Sequence, residues 1–511
     1  MSKSIFQRIT PLILTLIVGF FGLSSSQESD NYGIFENTLD IGDVKHEGRV
    51  SYNAQTGEYI LTGSGENMWF DNDEFRYLWA PIQGDFILRA ELKFLGEGVD
   101  PHRKIGWTVR NTLSPNSAMV NAAIHGDGLT SLQYRKEAGA ETLESVSSDS
   151  LPNIVELSRI GETFIMKTAK KGDPFTVVEV SDIELRNELF AGIYISAHNE
   201  NVVETAVFRN VRITKPAPED LVQYQQYLGS RLEVFDIETG IQKVLHTSEH
   251  SIQAPNWTVD GQRLIFNSNG YLYNYWLDDG KIDLLNTGFA TNNNNDHVLS
   301  FDGTKLAISH HNPDDNNRST IYILPVEGSD NPKKVTKSGM GHSYLHSISP
   351  DNQTVLFTGN RNGKYDIHAA DVDTGEETQL TDTPTLDDGS EYSPDGKYIY
   401  FNSNRTGTMQ IWRMEADGSN PTQLTFDENF NDWFPHISPD GKKMVFISYG
   451  TDVASGDHPF YKNVTLRMMP VEGGEPEIIA YLYGGQGTIN VPSWSPDSKK
   501  IAFVSNTGRF Y

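Results

Sequence analysis

The chain has 511 residues, with 41 Lys and Arg against 68 Asp and Glu, which gives a net charge of −27 at pH 7. An acidic surface of this kind repels nucleic acid and anionic lipid, because both are bound through basic patches. The sequence contains no cysteine, so it excludes disulfides and a lipid anchor attached to an N-terminal cysteine. Its length provides enough material for two hydrophobic cores.

Residues 1–26 have the features of a secretory signal peptide. Lys3 and Arg8 precede the apolar stretch 11–23, and three serines follow it. This stretch is shorter than a membrane-spanning helix requires, and no later segment reaches that length. We therefore expect a periplasmic or secreted protein that does not span the membrane once the signal is removed. The alternative is an uncleaved N-terminal anchor.

Residues 30–215 are predicted to form an antiparallel β-sandwich. Apolar and polar residues alternate at 85–94, 104–110 and 191–197, as is typical of strands that bury one face. Because many such strands follow one another without a convincing helix, two stacked sheets are the expected arrangement. Residues 216–229 are predicted to be the linker to the next domain.

Segments 68–86 and 207–213 of this region resemble bacterial concanavalin-like sandwich domains, which are often attached to proteins that act on glycans. The resemblance makes aromatic side chains candidates for stacking on sugar rings. Three tryptophans are the candidates here, Trp69, Trp79 and Trp107. The alternative is that these rings pack in the core, since tryptophan buries a large area in any sandwich.

A turn of the form Ser-Pro-Asp-Gly recurs six times in the second half of the chain. Proline fixes φ at the first central position, aspartate bonds to the nearby backbone, and glycine takes the left-handed corner. Successive aspartates are 42, 49, 44, 45 and 57 residues apart, and a β-rich run follows each turn. This period predicts a β-propeller. The aspartates are Asp260, Asp302, Asp351, Asp395, Asp440 and Asp497.

The number of strand-like runs predicts how the propeller closes. The last turn is followed by a single β-rich run, whereas two unassigned runs lie ahead of the first turn, at about 230–247. We expect these runs to complete the last of six blades, so that no sheet edge stays exposed. The predicted fold class is all-β, with an antiparallel β-sandwich followed by a six-bladed β-propeller at 230–511 that is closed by pairing of its N- and C-terminal strands.

The propeller region resembles the TolB-like family over about 225–511. The likeness is carried by the six turns, by Asn402–Arg405 followed by Gln410–Trp412, and by Pro492–Asp497. TolB is a periplasmic protein that binds partner proteins, so the resemblance implies an envelope scaffold. TolB has an α/β N-terminal domain, which this chain lacks at 30–215. Related propellers occur in oligogalacturonate lyases and in prolyl-oligopeptidase relatives, but the Gly-x-Ser-x-Gly turn of the latter is absent here.

Polar residues at the start of the innermost strands are the candidates for a functional site, because equivalent positions of a propeller converge on one mouth of its channel. His346, Glu391 and His436 are the candidates for acid and base catalysis. The candidates for ligand binding are Asn256, His297, His342, Asp432, Trp433, Gln486 and Asn490. The alternative is that these side chains hold neighbouring blades together.

The cofactor is unknown from the sequence. A divalent metal is a candidate because histidines and carboxylates gather at the channel mouth, although no two of them have a diagnostic ligand spacing. In the sandwich, the acidic residues Asp71, Asp73 and Glu74 are candidate calcium ligands. The longest step between turns includes an insertion at 449–461 and a glycine-rich loop at 483–488, and the glycine-rich loop with Gln486 is a candidate to close over a ligand.

Three functions stay open at this point. The first is an extracytoplasmic propeller that binds and processes carbohydrate at the channel mouth. The second is a TolB-like periplasmic scaffold that binds an envelope protein without catalysis. The third, a stronger form of the first, is a polysaccharide lyase or glycoside hydrolase. None of the three involves nucleic acid.

Overall fold

The computed structural model describes residues 31–509, so the predicted signal peptide lies outside the described residues. Within that range the chain is all-β apart from one 3₁₀ turn, Pro313–Asp315. None of the described helices is long and apolar enough to cross a membrane.

The first sixteen strands build two seven-stranded antiparallel sheets and one small hairpin. In chain order, β1 to β16 are Asn37–Ile41, Arg49–Asn53, Glu58–Gly63, Met68–Trp69, Asn72–Asp73, Phe75–Gln83, Phe86–Leu95, Lys104–Arg110, Met119–His125, Thr130–Arg135, Leu143–Val146, Ile154–Ile160, Thr163–Ala169, Thr176–Val180, Glu188–Ser196 and Glu204–Thr214. The first sheet has the order β1-β6-β15-β8-β9-β10-β11, and the second has the order β14-β13-β12-β7-β16-β3-β2. Strands β4 and β5 form the hairpin.

The two sheets share one hydrophobic core. Leu78 and Trp107 of the first sheet lie in the same fully buried cluster as Leu88 and Phe164 of the second. Burying a side chain of this size stabilises the fold by about 1.5–3 kcal/mol. The alternating pattern thus produces the two-layered antiparallel architecture that the sequence predicted. It also places Trp107, a candidate for sugar stacking, in the core.

The remaining strands form six sheets arranged as the blades of a propeller. In chain order, β17 to β39 are Gly229–Asp236, Gln242–Ser248, Gln253–Trp257, Arg263–Ser268, Tyr271–Trp276, Ile282–Leu284, Asn293–Leu299, Lys305–Asn312, Arg318–Pro325, Lys333–Lys334, Ser343–Ile348, Thr354–Arg361, Lys364–Asp371, Glu377–Gln379, Asp387–Tyr392, Tyr398–Ser403, Gln410–Glu415, Thr422–Gln423, Phe430–Ile437, Lys443–Gly450, Lys462–Pro470, Glu477–Gly484 and Lys500–Thr507. Strands β19 to β38 make five four-stranded antiparallel blades in sequence order. The sixth sheet has the order β18-β17-β39, with β17 and β39 paired from Gly229 opposite Thr507 to Asp236 opposite Lys500.

Each recurring turn is held by the same local hydrogen bonds. In the second turn the Ser300 hydroxyl donates to Asp302 Oδ1 over 2.6 Å, and the same oxygen accepts a backbone amide two residues further on. Gly303 takes the left-handed corner with a φ of 70°. Asn352 and Ser498 replace glycine in two turns, and each adopts a φ of 61°. The turn is therefore fixed by its own residues, which explains why the sequence reveals it.

The innermost strand of each of the five four-stranded blades breaks register with the second strand. In β23 the pairing jumps from Asn293 to His297, and in β31 it jumps from Asp388 to Glu391. Residues inside such a break leave the hydrogen-bonded ladder, so their side chains are re-aimed. This irregularity turns polar side chains of successive blades toward the centre of the ring.

Candidate functional site

A cavity of about 850 Å³ lies where the innermost strands of the blades meet. Its volume is in the range of sites that hold small molecules. Every blade contributes to its wall, for example through Asn267, Asp296, His346, Asp388 and Phe434, and the sixth blade contributes through the segment that precedes β39. The cavity is therefore the channel mouth on which the sequence predicted polar residues to converge.

The linker and the long insertion complete the wall of this cavity. Tyr224 and Tyr227 belong to the linker, and Phe460 belongs to the insertion. The Phe460 ring lies 5.2 Å from the Tyr224 ring and 5.7 Å from the Tyr227 ring, edge-on to both. The Phe460 amide donates to Gln223 Oε1 over 3.3 Å. The insertion is thus packed on the linker beside the cavity.

Amide and aromatic side chains dominate the lining. Asn292–Asn295 supply four consecutive asparagines, and Gln253, Gln486 and Asn490 add further carboxamides. Tyr344 is one of six aromatic residues in the wall. No lysine or arginine is found among the residues that line the cavity. The site therefore offers many neutral donors and acceptors, with no lysine or arginine to neutralise an anionic ligand.

The charged groups of the cavity form one connected cluster. His346 Nε2 lies 2.9 Å from Asp388 Oδ1, and the Thr358 hydroxyl donates to the same oxygen. His458 Nε2 lies 4.0 Å from Asp388 Oδ2. His458 Nδ1 lies 2.6 Å from Gln486 Oε1. These contacts fix the Asp388 carboxylate between two imidazoles.

The two carboxyl groups of the cavity have pKa values shifted in opposite directions. Burial of Asp296, reinforced by the charge of Asp388 and opposed by His346, raises its pKa to about 7. Burial would also raise the pKa of Asp388, but the hydrogen bond and charge of His346 lower it to about 2. Burial would lower the pKa of His346, whereas Asp388 raises it above the ordinary value. Near neutral pH the cavity thus holds one carboxyl that can release a proton beside one that is ionised.

The Asp296→Asn variant is expected to become more stable than the unchanged protein as the pH rises, because the unchanged protein loses stability. The folded pKa of Asp296 lies above the ordinary value of 3.8, so the stability it contributes is full below that value and is lost as the pH approaches about 7. Asparagine does not ionise, so at pH 8 the variant should be more stable by at least about 1 kcal/mol. Urea unfolding at pH 4 and pH 8 measures this difference. Asp314→Asn is the control, because Asp314 is exposed. An effect of Asp296→Asn that does not change with pH would contradict the raised pKa of Asp296.

Three of the predicted site residues line the cavity, namely His346, Gln486 and Asn490. Asn490 Nδ2 donates to Gln486 Oε1 over 2.9 Å, and Asn490 Oδ1 accepts the Gly487 amide over 2.7 Å. These two carboxamides therefore hold the glycine-rich segment 484–488 in place beside the cavity.

Glu391 and His436, predicted as catalytic, contact each other and do not line the cavity. His436 Nδ1 lies 2.7 Å from Glu391 Oε2, and His436 Nε2 lies 2.6 Å from the Ile489 carbonyl oxygen. Glu391 Oε1 accepts the Ile437 amide over 2.8 Å. All four polar side-chain atoms of the pair therefore have partners within the protein. This arrangement fits the alternative stated above, in which these side chains hold neighbouring blades together.

The other predicted ligand-binding residues do not line the cavity. His297 is fully buried between the Asn295 and Ile265 carbonyl oxygens, and burial lowers its pKa to about 4. Asp432 accepts from Ser448 over 2.6 Å. The remaining three are Asn256, which donates to the Pro492 carbonyl, His342, which accepts the Ser319 amide, and Trp433, which is fully buried.

The sandwich candidates differ in exposure. Trp69 and Trp79 are partly exposed, and Trp79 packs edge-on against Phe190 at 4.9 Å. Asp73, considered as a calcium ligand, is fully buried and paired with Arg110 and Arg135. Its carboxylate oxygens are thus occupied by guanidinium groups, which is the reverse of a cation site.

Several residues of the cavity carried signals that the sequence analysis did not use. The run Asn292–Asn295 is unusual at the entry of a strand, since asparagine is depleted in sheets. Tyr224 and Tyr227 lie in a segment interpreted only as a linker. No local signal joins these tyrosines to the blades, because their contact with Phe460 spans more than 200 residues of chain.

Comparison with known proteins agrees with this fold. A family model described as the TolB beta propeller domain matches residues 298–458. An uncharacterized protein of Agrobacterium fabrum is 45% identical over 278 residues, which is 54% of this chain and 92% of that protein.

Two solved structures are also similar. The structure of "putative TolB from Agrobacterium tumefaciens" is 44% identical, covers 55% of this chain and 99% of that chain, and has a TM-score of 0.52. TolB from Acinetobacter baumannii is 19% identical, covers 50% of this chain and 64% of that chain, and has a TM-score of 0.39. The family match, the close relative and the six blades lead to one conclusion. This chain belongs to the TolB-like β-propeller family.

Proposed function

We propose that this protein binds a neutral carbohydrate in the cavity at the channel mouth. The observation that carries the proposal is the lining of that cavity, in which carboxamides and aromatic rings surround about 850 Å³ and no lysine or arginine is found. Sugars present many hydroxyl groups, each of which donates and accepts, and they present apolar faces as well. Carboxamides satisfy the hydroxyls with paired donors and acceptors, and aromatic rings cover the faces.

The charge of the cavity favours a neutral sugar over an acidic one. Asp388 is ionised at neutral pH, and Asp296 becomes ionised near pH 7. A uronate ligand would bring further carboxylates into this buried environment, which has no lysine or arginine and whose His346 is already paired with Asp388, so its binding is unfavourable. Polymers of uronic acid, the substrates of polysaccharide lyases, are therefore disfavoured.

Hydrolysis of the bound carbohydrate is favoured by the opposed pKa shifts in the cavity. Glycoside hydrolysis uses one carboxyl group as a proton donor and a second, ionised group as a base or nucleophile. Asp296 has the raised pKa of the first role, and Asp388 has the lowered pKa of the second. His346, predicted as catalytic, holds Asp388 in its ionised form through their hydrogen bond.

The test is calorimetric titration of the protein with neutral and acidic oligosaccharides, namely cello-, laminari- and malto-oligosaccharides against oligogalacturonates. We expect binding of a neutral series, and a loss of affinity of about fivefold in Tyr365→Ala, because an aromatic contact contributes about 1 kcal/mol. Tyr365 lines the cavity and is 38% exposed. Tyr271→Ala is the matched control, because Tyr271 is 40% exposed and lies outside the cavity lining.

Two results would contradict the proposal. One is that no neutral oligosaccharide binds while an acidic one does. The other is that Tyr271→Ala weakens binding as much as Tyr365→Ala. Product analysis on the same panel separates binding from hydrolysis, since Asp296→Asn should abolish product release while the sugar still binds.

A TolB-like periplasmic scaffold is the second candidate, and membership of the TolB-like family favours it. Under this function an envelope protein is the partner, and the propeller surface binds it without catalysis. Pull-down from envelope extract, with and without the neutral sugar, distinguishes the candidates. Cavity variants such as Tyr365→Ala should leave a scaffold's partner bound. A partner released by the same neutral sugar would instead link both functions to the cavity.

A further inference from the structure

Three histidines and one aspartate meet at one end of the first sheet of the sandwich, far along the chain from the propeller. We call His102, His125, Asp127 and His198 the histidine cluster. His102 precedes β8, His125 ends β9 and is followed by Asp127 in the turn to β10, and His198 follows β15. The cluster has no part in the cavity of the propeller.

The register of three neighbouring strands places these residues side by side. Ser196 of β15 is opposite Lys104 of β8, and Lys104 is opposite His125 of β9. Moving two residues outward from this row reaches His198, His102 and Asp127. The strands are antiparallel, so all three positions lie at the same end of the sheet.

Three of the four side chains are close enough to share one ion, and the fourth, that of His198, contacts the His102 ring. One ligand atom each of His102, His125 and Asp127 lies within 4.8 Å of the others. The His102 ring centroid is 5.8 Å from that of His125 and 5.5 Å from that of His198. His102 Nδ1 is 3.7 Å from Asp127 Oδ2. His102 and Asp127 are exposed, so small side-chain rotations can shorten these distances.

Two nitrogens of the cluster lack hydrogen-bond partners among the described residues. His125 is only 4% exposed, and its Nδ1 is buried without a partner. His198 Nδ1 is also buried without a partner. A buried polar atom in this state costs about 1–3 kcal/mol unless something binds it. The two atoms therefore indicate a ligand that accepts lone pairs from imidazole nitrogen.

The backbone holds the cluster in position before any ion binds. The Asp127 amide donates to the Pro101 carbonyl over 2.8 Å, and the Gly126 amide donates to the Arg103 carbonyl over 3.0 Å. Asp127 Oδ1 accepts the Leu129 amide over 3.0 Å, which leaves Oδ2 facing His102. The turns that carry His102 and Asp127 are thus joined to each other.

We propose that the histidine cluster binds one divalent transition-metal ion, with zinc as the expected metal. Three imidazoles and one carboxylate form the four-coordinate nitrogen and oxygen set that zinc accepts, and imidazole also suits copper and nickel. Oxygen-preferring calcium and magnesium are poorly served by three nitrogen ligands. The chain has no cysteine, so histidine and carboxylate are its strongest ligands for zinc.

Gln133 is the positioning residue for His125. Its carboxamide lies 3.2 Å from His125 Nε2, and it also contacts Asn121 and Ser131. A metal-bound histidine normally donates its other N–H to a carbonyl or carboxylate oxygen. Rotating the carboxamide of Gln133 by half a turn presents its oxygen to Nε2. Asn121 Oδ1 is otherwise buried without a partner. If the Asn121 carboxamide makes the same rotation, its oxygen accepts a hydrogen bond from the Gln133 amide.

The electrostatic surroundings are compatible with the ion. Lys104 begins β8, two residues after His102. The Lys104 ammonium group is itself held by Asn67 Oδ1 at 2.8 Å. Asp127 provides negative charge inside the cluster, and the protein as a whole is acidic.

The test is calorimetric titration of the full chain, purified without a polyhistidine tag, with zinc chloride at pH 7.5. We expect one zinc ion per chain and a rise in the thermal midpoint on zinc addition. His102→Ala and Asp127→Asn should each weaken binding by about tenfold or more, and Gln133→Leu by about tenfold. The first two changes are on exposed side chains, so the variants should fold; circular dichroism and apo-state melting verify this.

His250→Ala is the matched control, since His250 is an exposed histidine of the propeller outside the cluster. Zinc affinity unchanged in His250→Ala and lowered in His102→Ala and Asp127→Asn supports the site. Absence of binding overturns it. Equal affinity in the unchanged protein, His102→Ala and Asp127→Asn also overturns it, because the ion would then be held elsewhere. Because the readout is metal binding, the result is independent of the carbohydrate proposal.

Discussion

The Asp73→Ala variant is expected to lose about 5 kcal/mol or more of folding stability, enough to unfold many domains. Asp73, Arg110 and Arg135 all have fully buried side chains. Asp73 Oδ2 accepts from Arg110 over 2.6 Å, and Asp73 Oδ1 and Oδ2 accept from Arg135 over 2.9 Å each. Alanine would leave two guanidinium groups buried without their counter-ion. Removing one partner of a buried pair already costs about 3–5 kcal/mol.

Urea unfolding followed by circular dichroism measures this loss. Asp71→Ala is the control, because Asp71 is exposed, lies two residues away, and should change stability by less than about 0.5 kcal/mol. Asp73→Asn keeps the shape of the side chain but removes its charge, so its folding stability should lie between those of Asp73→Ala and Asp71→Ala. A stability of Asp73→Ala close to that of Asp71→Ala would mean that the two arginines are compensated by other groups.

The His436→Ala variant is expected to lose about 3–5 kcal/mol of folding stability. The His436 ring contacts the Glu391 carboxylate through Nδ1 and the Ile489 carbonyl oxygen through Nε2, and alanine removes both contacts. Glu391 is only 5% exposed, and its buried carboxylate would be left without this partner. The contact joins the innermost strands of two blades to the segment before β39, so its loss weakens the ring where three elements meet.

Comparison with a double mutant identifies the source of the loss. If Glu391 and His436 act as one pair, the loss in Glu391→Ala/His436→Ala should be clearly smaller than the sum of the two single losses. Carbohydrate binding per folded molecule should persist in His436→Ala, since His436 does not line the cavity. A variant of full stability that has lost turnover would instead restore the catalytic role predicted for His436 from the sequence.

The sequence predicts the fold of this protein well because its turns are local. Ser300, Asp302 and Gly303 determine their own conformation within four residues, and the same pattern recurs in each blade. The site is less predictable, as His346 and His436 show. Both precede a turn, but His346 falls in the register break of β27, lines the cavity and contacts Asp388, whereas His436 pairs with Val445 and is capped by a carbonyl oxygen from another part of the chain.

The same distinction explains why sequence reasoning missed the asparagines of the cavity wall. Asp296 and the asparagines before it reach the cavity because β23 breaks register with its neighbour, and a break of this kind has no reliable sequence signature. Trp107 shows the opposite case. Its alternation pattern is that of a core residue, and the ring is fully buried, although its chemistry alone would equally suit a sugar-binding surface.

The linker has a thermodynamic consequence for the whole chain. Tyr224 and Tyr227 connect the sandwich to the propeller and at the same time form part of the cavity wall. The linker is also tied to the last blades, where the Ala217 amide donates to the Tyr483 hydroxyl and the Leu228 amide donates to the Tyr461 hydroxyl. Any molecule that contacts both tyrosines binds more tightly when the linker is ordered than when it is not. By reciprocity it stabilises the ordered linker by the same factor, so occupancy of the channel mouth and order in the linker are thermodynamically linked.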